Sequence, residues 1–488
     1  MTDPERVPTE PPSSPHRRGL RKSIERLHPV FAIIATIAAV GAVLSGLTGY
    51  WTTFKTISNE VFGGAAPPRQ SNTVSAGRAS IAVLPFENLS KDAAQDYIVD
   101  GLVANLTSDI SVHMPSLLVI ASTSAQTYKG RAIDPKQVGR ELSVRYLVTG
   151  SVQRDVQQVR VNAQLVDSET SSVLWTDRFD GDTGNLIVLQ DKITARIAVS
   201  LGFAMINVTA QEAVKKGSNA DADDLVLQAQ AALYKARRTF GTRTEAEALY
   251  RKAVSIDPNN ADALIGLGLV LSENLSNLQA NRALNSEQII KMRSEAIELL
   301  DRGQLIKPVS ADLEYARFNI CMVDGRWNDA RRVAERSLEI DPNFVSGYNA
   351  LGLSYLGVGE PDKAITAFMD GLARTGGRGP GETIFRSGIG FGHLLASRWD
   401  EAIDNLLKAR VGQAGSLTVH TSLSAAYAEK GEMEAAKSSL ADALKIAPKL
   451  SLARLRATST LTDPAYIRLR EATLYDGLRK AGLPEVSP

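Results

Sequence analysis

The sequence predicts a chain of mixed fold class, with one transmembrane helix, then an α/β domain, then an all-α solenoid of helix pairs. Three observations support this prediction. An uncharged apolar stretch lies near the amino terminus, and short apolar runs alternate with helical patterns over residues 79–207. A regularly spaced series of small residues then extends to residue 450. We therefore expect a membrane anchor followed by two differently built regions.

The anchor is predicted from a stretch without charge. From Leu27 to Phe54 the chain contains no Lys, Arg, Asp or Glu. About 20 helical residues cross a hydrocarbon layer of roughly 30 Å, so a transmembrane helix is expected at residues 29–51. A cleaved signal peptide is the alternative, but its apolar part normally spans only about 7 to 15 residues.

The charges on the two flanks predict the orientation of this helix. Lys55 is the only base close behind it, whereas five bases precede it: Arg17, Arg18, Arg21, Lys22 and Arg26. Positive flanks stay in the cytoplasm, so residues 1–28 are expected to be a disordered cytoplasmic tail and residues 52–78 a linker on the other side. Ala38, Ala42 and Gly46 form a stripe that suits pairing of two such helices, so a homodimer through the anchor stays open.

Residues 79–207 are predicted to form the α/β domain. Its first strand is the apolar run Ser80–Phe86, and Asp134-Pro135 opens a short helix, with aspartate as the cap and proline at the first helical position. A closing amphipathic helix is expected at Leu186–Leu201. The other expected elements are a helix at Asp96–Val112 and strands at Leu117–Ile120, Arg145–Arg154, Val159–Val166 and Val173–Phe179.

Residues 224–450 are predicted to be helical repeats. The small residues that open the second helix of each unit are Ala246, Ala296, Ala330, Ala364, Ala402 and Ala436, with gaps of 50, 34, 34, 38 and 34 residues. The two longer gaps predict insertions between helices, near Asn274–Glu287 and at Gly376–Gly381. Residues 451–488 are expected to supply a capping helix, Pro464–Ala481, and a tail.

Two family resemblances refine these expectations. Leu351-Gly352, Tyr355, Ala364 and Phe368, with Pro342 closing the preceding unit, resemble the tetratricopeptide repeat. This resemblance implies five regular repeats, one stretched repeat, and a protein or peptide partner.

The α/β region resembles the TolB amino-terminal-like domain. The resemblance rests on five motifs in order: Ile81–Phe86, Asp100–Leu102, Gly139–Tyr146, Gly150–Val152 and Leu174-Trp175. That domain occurs in bacterial membrane proteins beside tetratricopeptide repeats, often behind a class III adenylate or guanylate cyclase domain or a winged-helix DNA-binding domain. It implies a single-pass protein of the inner membrane whose bulk is periplasmic. Only about 28 residues precede the anchor, which is too short for a cyclase domain, so the chain resembles the sensory half of such a receptor.

Residues that could carry chemistry are scattered. None of the five histidines has a second His or Cys at ligand spacing, and Cys321 is the only cysteine. Gly388–Gly392 lacks the Lys-Ser/Thr ending of a phosphate loop. We therefore predict no catalytic residue, no cofactor, no metal and no enzyme activity. The net charge of +1, without a basic stripe beyond the tail, also argues against nucleic acid.

The first helices of a repeat stack line its concave side. We therefore predict a scaffold of the bacterial envelope that binds a protein or peptide partner. The alternative is a sensory or regulatory subunit of a cyclic-nucleotide signalling system. By register with the family, the predicted partner-binding residues are Asp312, Tyr315, Asn319, Asn349, Leu353 and Phe391.

Overall fold

The computed structural model describes residues 79–486, apart from 91–95, 115–116, 156–157, 183–185, 240, 281–285, 376–378, 458 and 460–462. The predicted tail, transmembrane helix and linker at residues 1–78 therefore lie outside the described residues. Everything described belongs to one compact unit that combines a sheet region with helical repeats.

The sheet contains six strands in the order β3-β1-β4-β5-β6, with the short β2 beside β4. β1 pairs in parallel with β3 and β4, whereas β4, β5 and β6 are antiparallel. All five predicted strands are present, but β1 ends before Pro85, which has no N–H to donate to a ladder. The strands are β1 (Ser80–Val83), β2 (Glu87–Asn88), β3 (Leu118–Val119), β4 (Tyr146–Arg154), β5 (Gln158–Asp167) and β6 (Val173–Asp182).

Helices cover both faces of this sheet. On one face, Ile81 and Tyr146 of the strands share a core with Leu106 and Ile197 of helices α1 and α4. On the other, Leu84 packs with residues of α2 and α3. The predicted cap of α3 is confirmed, because the Asp134 carboxylate accepts a hydrogen bond from the backbone N–H of Lys136 at 3.0 Å. These helices are α1 (Asp96–His113), α2 (Ser122–Ala125), α3 (Pro135–Leu142) and α4 (Leu186–Lys215).

Helix α4 continues well beyond its predicted end at Leu201. The extension is stabilised by the repeats, since Phe203 stacks on Tyr234 with ring centroids 4.3 Å apart and Ala213 is buried. Within the described residues, Leu189–Lys215 is the one helix long and apolar enough to span a bilayer. Its packing against α1, β6 and the first repeat helix accounts for that composition as a core helix.

Six helix pairs follow within the described residues. The start of the stack also touches its later part, because α4 packs against α12 and α5 packs against α13. The first helices are α5 (Ala222–Thr239), α7 (Ala261–Ala280), α9 (Ala311–Val323), α11 (Val345–Gly357), α13 (Gly379–Leu395) and α15 (Leu417–Lys430). The second helices are α6 (Thr244–Ile256), α8 (Ser286–Ile306), α10 (Trp327–Ile340), α12 (Pro361–Thr375), α14 (Trp399–Gly412) and α16 (Met433–Ile446).

The prediction that the longer insertion lies between helices is wrong, and residues 376–378 of the shorter insertion lie outside the described residues. Most of the longer insertion lengthens helices, because α7 runs to Ala280 and α8 begins at Ser286. Leu275 is fully buried within the extended α7, which explains why the polar stretch stays helical. In the shorter insertion, α13 already begins at Gly379, so Pro380 lies in the first helical turn, where its missing N–H costs nothing.

The chain ends in a short helix α17 (Leu452–Ala457) and a longer helical segment. α18 (Pro464–Arg470), a π-helical turn (Glu471–Tyr475) and α19 (Asp476–Ala481) follow each other without a break. We call Pro464–Ala481 the C-terminal helix. Pro464 stands at its first position and the carboxylate of Asp463 caps it, accepting from the N–H of Ala465 at 2.7 Å. The helix packs against α13, α15 and α16.

Candidate protein-interaction surface

In the second, fourth and fifth repeats, a large side chain of the second helix fills the space above a glycine of the first. A Cβ on Gly352 would lie 2.4 Å from the ring of Phe368. The stretched repeat keeps this pairing, since a Cβ on Gly268 would lie 2.8 Å from Leu300. Gly352 with Phe368 and Gly268 with Leu300 therefore occupy the same register in two different repeats.

The third repeat makes the same contact with the sizes exchanged. Phe318 occupies the first-helix position and Ala334 the second-helix position. Both are almost fully buried, at 1% and 0% exposure, and they belong to one apolar cluster. Volume is thus conserved across the helix pair although the sequence pattern is inverted, which is the kind of exchange that close packing tolerates.

The predicted partner-binding residues of α9 lie in different environments. Asp312 is exposed, and Tyr315 is half-buried with its ring edge-on to Phe344 at 5.8 Å. Asn319 is only 4% exposed and its amide donates to the Ser272 hydroxyl at 3.3 Å. Because α9 packs directly on α7, Asn319 joins two helices and is not on the surface.

The predicted residues of the next two repeats lie together. Asn349 and Leu353 of α11 are half-buried, as is Phe391 of α13. Leu353 and Phe391 pack into the same apolar cluster as Tyr466 and Leu469 of the C-terminal helix. This part of the predicted surface is therefore occupied by a segment of the same chain.

The contact continues along α15. A Cβ on Gly477 would lie 2.6 Å from the carbonyl oxygen of Ala425, and the Lys480 ammonium lies 2.7 Å from the Glu429 carboxylate. Sequence reasoning missed Ala425 and Glu429, although Ala425 has the register of Leu353 and Phe391. We name the surface formed by Leu353, Phe391, Ala425 and Glu429 the repeat groove.

A charged cluster lies among the first helices at the other end of the stack. Arg237 donates to one Glu273 oxygen from Nε at 3.1 Å and Nη2 at 2.5 Å, and Arg243 donates to the other oxygen. The guanidinium of Arg237 also lies over the Tyr315 ring, 5.8 Å from its centroid. The cluster links α5, α7 and α9 and carries two positive charges against one negative charge.

These contacts shift two pKa values. Burial alone would raise the pKa of Glu273, but the charges and hydrogen bonds of Arg237 and Arg243 hold that pKa below its usual range. Burial raises the pKa of Tyr315 to about 12. Glu273 is therefore ionised at neutral pH and Tyr315 is neutral, so Tyr315 can donate a hydrogen bond.

Reactive side chains are held in paired or buried states. Within the described residues, no three His, Cys, Asp or Glu side chains are placed to hold a metal ion. Burial raises the pKa of the Cys321 thiol, which keeps it protonated and weakly nucleophilic. Cys321 borders a cavity of about 310 Å³ between α8, α9 and α10, where Arg326 and Arg332 both pair with Asp329.

Two families match parts of the chain. The tetratricopeptide repeat matches residues 417–450, which form α15, α16 and the turn after them. The second domain of HilA/YgeH-like transcriptional regulators matches residues 77–196, which include the six-stranded sheet. The resemblance to the TolB amino-terminal-like domain stays a prediction.

A curated relative shares sequence with about half of the chain. A protein of Rhizobium meliloti (strain 1021) named putative adenylate cyclase 3 is 33% identical over 240 residues. The match covers 48% of this chain and 39% of the relative. The chain therefore corresponds to well under two thirds of that protein.

Several solved structures share a partial likeness. Cut9 and Hcn1 of an APC/C hetero-tetramer gives a TM-score of 0.41 at 17% identity, over 57% of this chain and 50% of that chain. YrrB, a tetratricopeptide-repeat protein with an unusual peptide-binding site, gives a TM-score of 0.31 at 18% identity, and the match covers 43% of this chain and 96% of that chain. PilF of Pseudomonas aeruginosa gives a TM-score of 0.36 at 16% identity, and the match covers 51% of this chain and 99% of that chain. At these TM-scores no function is transferred.

The helix pairs and the repeat match define the class of the protein. Its described residues combine a small α/β sheet domain with stacked helix pairs, of which residues 417–450 match the tetratricopeptide repeat, and its candidate site is a surface of stacked first helices. Repeats of this kind generally bind other proteins without catalysing a reaction.

Proposed function

We propose that the protein is a membrane-anchored scaffold of the bacterial cell envelope that binds a protein or peptide partner on the first helices of its repeats. The observation that carries this proposal is the stack of six helix pairs in tetratricopeptide register, with the family match at residues 417–450. Extended stacked surfaces of this type hold peptides through amide and apolar contacts.

Cross-linking from the surface tests partner binding. A photoreactive amino acid replaces Asn349, which is half-buried on the first helix α11. The matched control carries it at Glu339, which is exposed on the second helix α10. We expect a discrete protein adduct from position 349 in envelope preparations and none from position 339. Equal labelling from both positions, or none from 349, would overturn binding by the first helices.

The membrane part of the proposal is supported by the uncharged stretch Leu27–Phe54 and the bases before it. It places the amino terminus in the cytoplasm and the repeats in the periplasm, at the inner membrane. A reporter fused after Pro488 tests this arrangement. Activity of a periplasm-specific reporter is expected, and activity of a cytoplasm-specific reporter would reverse the topology.

A second candidate function is regulation of cyclic-nucleotide signalling. The 33% identity to a protein named putative adenylate cyclase supports it. Here the chain would be a sensory or regulatory subunit whose catalytic partner is a separate cyclase. Deleting the gene should then change cellular cyclic AMP or cyclic GMP under envelope stress, and unchanged levels of both would eliminate this candidate.

A further inference from the structure

The C-terminal helix lies across the repeat groove over three consecutive repeats. At its beginning, Ala465 approaches the turn after α11 so closely that a Cβ on Gly359 would lie 2.7 Å from the Ala465 Cβ. At its end, Lys480 reaches Glu429 on α15. A cap on the last repeat would need to touch only α15 and α16, so this helix does more than close the stack.

The buried side chains of the C-terminal helix resemble those of an amphipathic helical ligand. Tyr466, Leu474 and Tyr475 are 2%, 3% and 3% exposed, whereas Ile467 is 44% exposed. Arg470 lies over the rings of both tyrosines, at 5.7 Å and 4.9 Å. Tyr475 is the last residue of the π-helical turn, and such turns often occur at functional sites.

If the C-terminal helix left, it would uncover a surface of α15 on which Val, Leu and Ala residues lie among His, Ser and Thr residues. All residues of α15 from Val419 to Ala426 are buried, although this first helix should have one side open in a bare stack. Leu353 and Phe391 add apolar side chains to this surface. An exposed apolar patch rimmed by polar residues marks a site of protein interaction.

The connection to the chain favours the closed state. Pro484 and Glu485 accept hydrogen bonds from the N–H groups of Leu452 and Ala453, at 3.0 and 2.8 Å. The C-terminal helix is thus tethered on both sides of the groove, which gives it a high effective concentration there. A partner must compete with this intramolecular contact.

We propose that the C-terminal helix is an intramolecular ligand of the repeat groove and that the partner is an amphipathic helix which displaces it. This partner presents an aromatic, a small and a basic residue at the positions of Tyr466, Gly477 and Lys480. The inference rests on the proposed function only for the existence of a partner. The groove itself can be tested without one.

The probe is a fluorescent synthetic peptide with the sequence of residues 463–486, added to the full chain. The wild-type chain should bind it weakly because its groove is occupied. In Gly477→Ala the new Cβ collides with the Ala425 backbone, while alanine is the better helix former, so docking weakens without melting the helix. We expect at least tenfold tighter peptide binding. Gly415→Ala is the matched control, because nothing lies within 4 Å of its added Cβ.

A charge exchange tests whether the peptide enters the repeat groove. Adding Glu429→Lys to Gly477→Ala should weaken peptide binding several-fold, and a peptide carrying Lys480→Glu should restore it. If Gly477→Ala does not fold, Lys480→Glu in the chain serves in its place. This variant should also bind the peptide more tightly than the wild-type chain does. No gain over wild type with either chain variant, or no rescue by charge exchange, would overturn the inference.

Hydrogen exchange supplies an independent readout. In the wild type, amides of the C-terminal helix should exchange faster than those of α14, because they open without global unfolding. Equal protection of both would show that the helix is a permanent part of the fold. Peptide binding without any adduct from position 349 would leave this inference standing and count against the proposed function.

Discussion

Phe368 packs against Gly352 so closely that a Cβ on residue 352 would lie 2.4 Å from its ring. The preceding repeat reaches the same density with Phe318 on the first helix and Ala334 on the second. The two solutions show that the pair of positions is constrained by its summed volume and not by the identity of either residue.

We therefore predict that Gly352→Val destabilises the protein by about 1 to 3 kcal/mol through overpacking. Adding Phe368→Ala should recover part of this loss, because it transfers the large side chain to the first helix as in the third repeat. Thermal unfolding followed by circular dichroism measures both effects. Gly415→Val, with open space around the new side chain, is the control; additive losses in the double variant would contradict the volume argument.

The second prediction concerns Glu273, which is 5% exposed between Arg237 and Arg243. Glu273→Ala leaves two guanidinium groups without their carboxylate and should cost about 3 to 5 kcal/mol in unfolding free energy. Glu245→Gln, at an exposed position of α6, should stay within about 0.5 kcal/mol. A loss at Glu273 as small as at Glu245 would show that the cluster is solvated.

The same residue predicts a response to acid. Its folded-state pKa is depressed, so its contribution is present above the unfolded pKa of about 4.3 and disappears as the pH falls through the folded value. In urea unfolding, the free energy of unfolding should therefore fall less between pH 7 and pH 4 for Glu273→Gln than for wild type. An equal fall in unfolding free energy in both proteins would contradict a depressed pKa of Glu273.

Tyr466 predicts a response to base. Burial raises its pKa to about 12, from an ordinary value near 10. Its contribution to stability is complete below pH 10 and disappears as the pH rises toward 12, amounting to about 1.4 kcal/mol lost by pH 11. Tyr466→Phe should lack this part of the alkaline loss in urea unfolding at pH 8 and pH 11, with Tyr97→Phe, at an exposed position, as the control.

The last prediction concerns the junction between the sheet and α4. The Tyr146 hydroxyl donates to Glu212 at 2.8 Å, and Arg145 pairs with the same oxygen at 2.5 Å. Glu212→Ala leaves the hydroxyl of a fully buried tyrosine without this acceptor and should cost about 1 to 3 kcal/mol. Tyr146→Phe should cost less, because Glu212 keeps Arg145. Chemical unfolding of the two variants decides the order, and the reverse order would show that the Arg145 pair contributes little beside the tyrosine hydroxyl.

Much of the fold could be predicted because its signals are local. The series of alanines reports the repeat period, and Asp134-Pro135 reports the start of α3. The errors occurred where long-range packing decides. α4 extends past Leu201 because the repeats bury its second half, and α7 extends to Ala280 although its composition is polar.

The candidate site shows the same division. Register with the repeat family gave Leu353 and Phe391 equivalent positions on α11 and α13, and the structure brings both into one apolar cluster, because helical periodicity determines which side of a helix they occupy. It could not show that Asn319 is buried against α7, nor that Tyr466 covers the surface. Both depend on how separate elements approach one another.

By itself, the sequence determined that this protein has helix pairs of about 34 residues behind a sheet domain, because those patterns follow from backbone periodicity and the sizes of neighbouring side chains. Only the tertiary structure decided that its last helix returns to the repeat groove. That outcome depends on contacts such as Gly477 with Ala425 and Lys480 with Glu429, which join residues about 50 positions apart and leave no periodic trace in the chain.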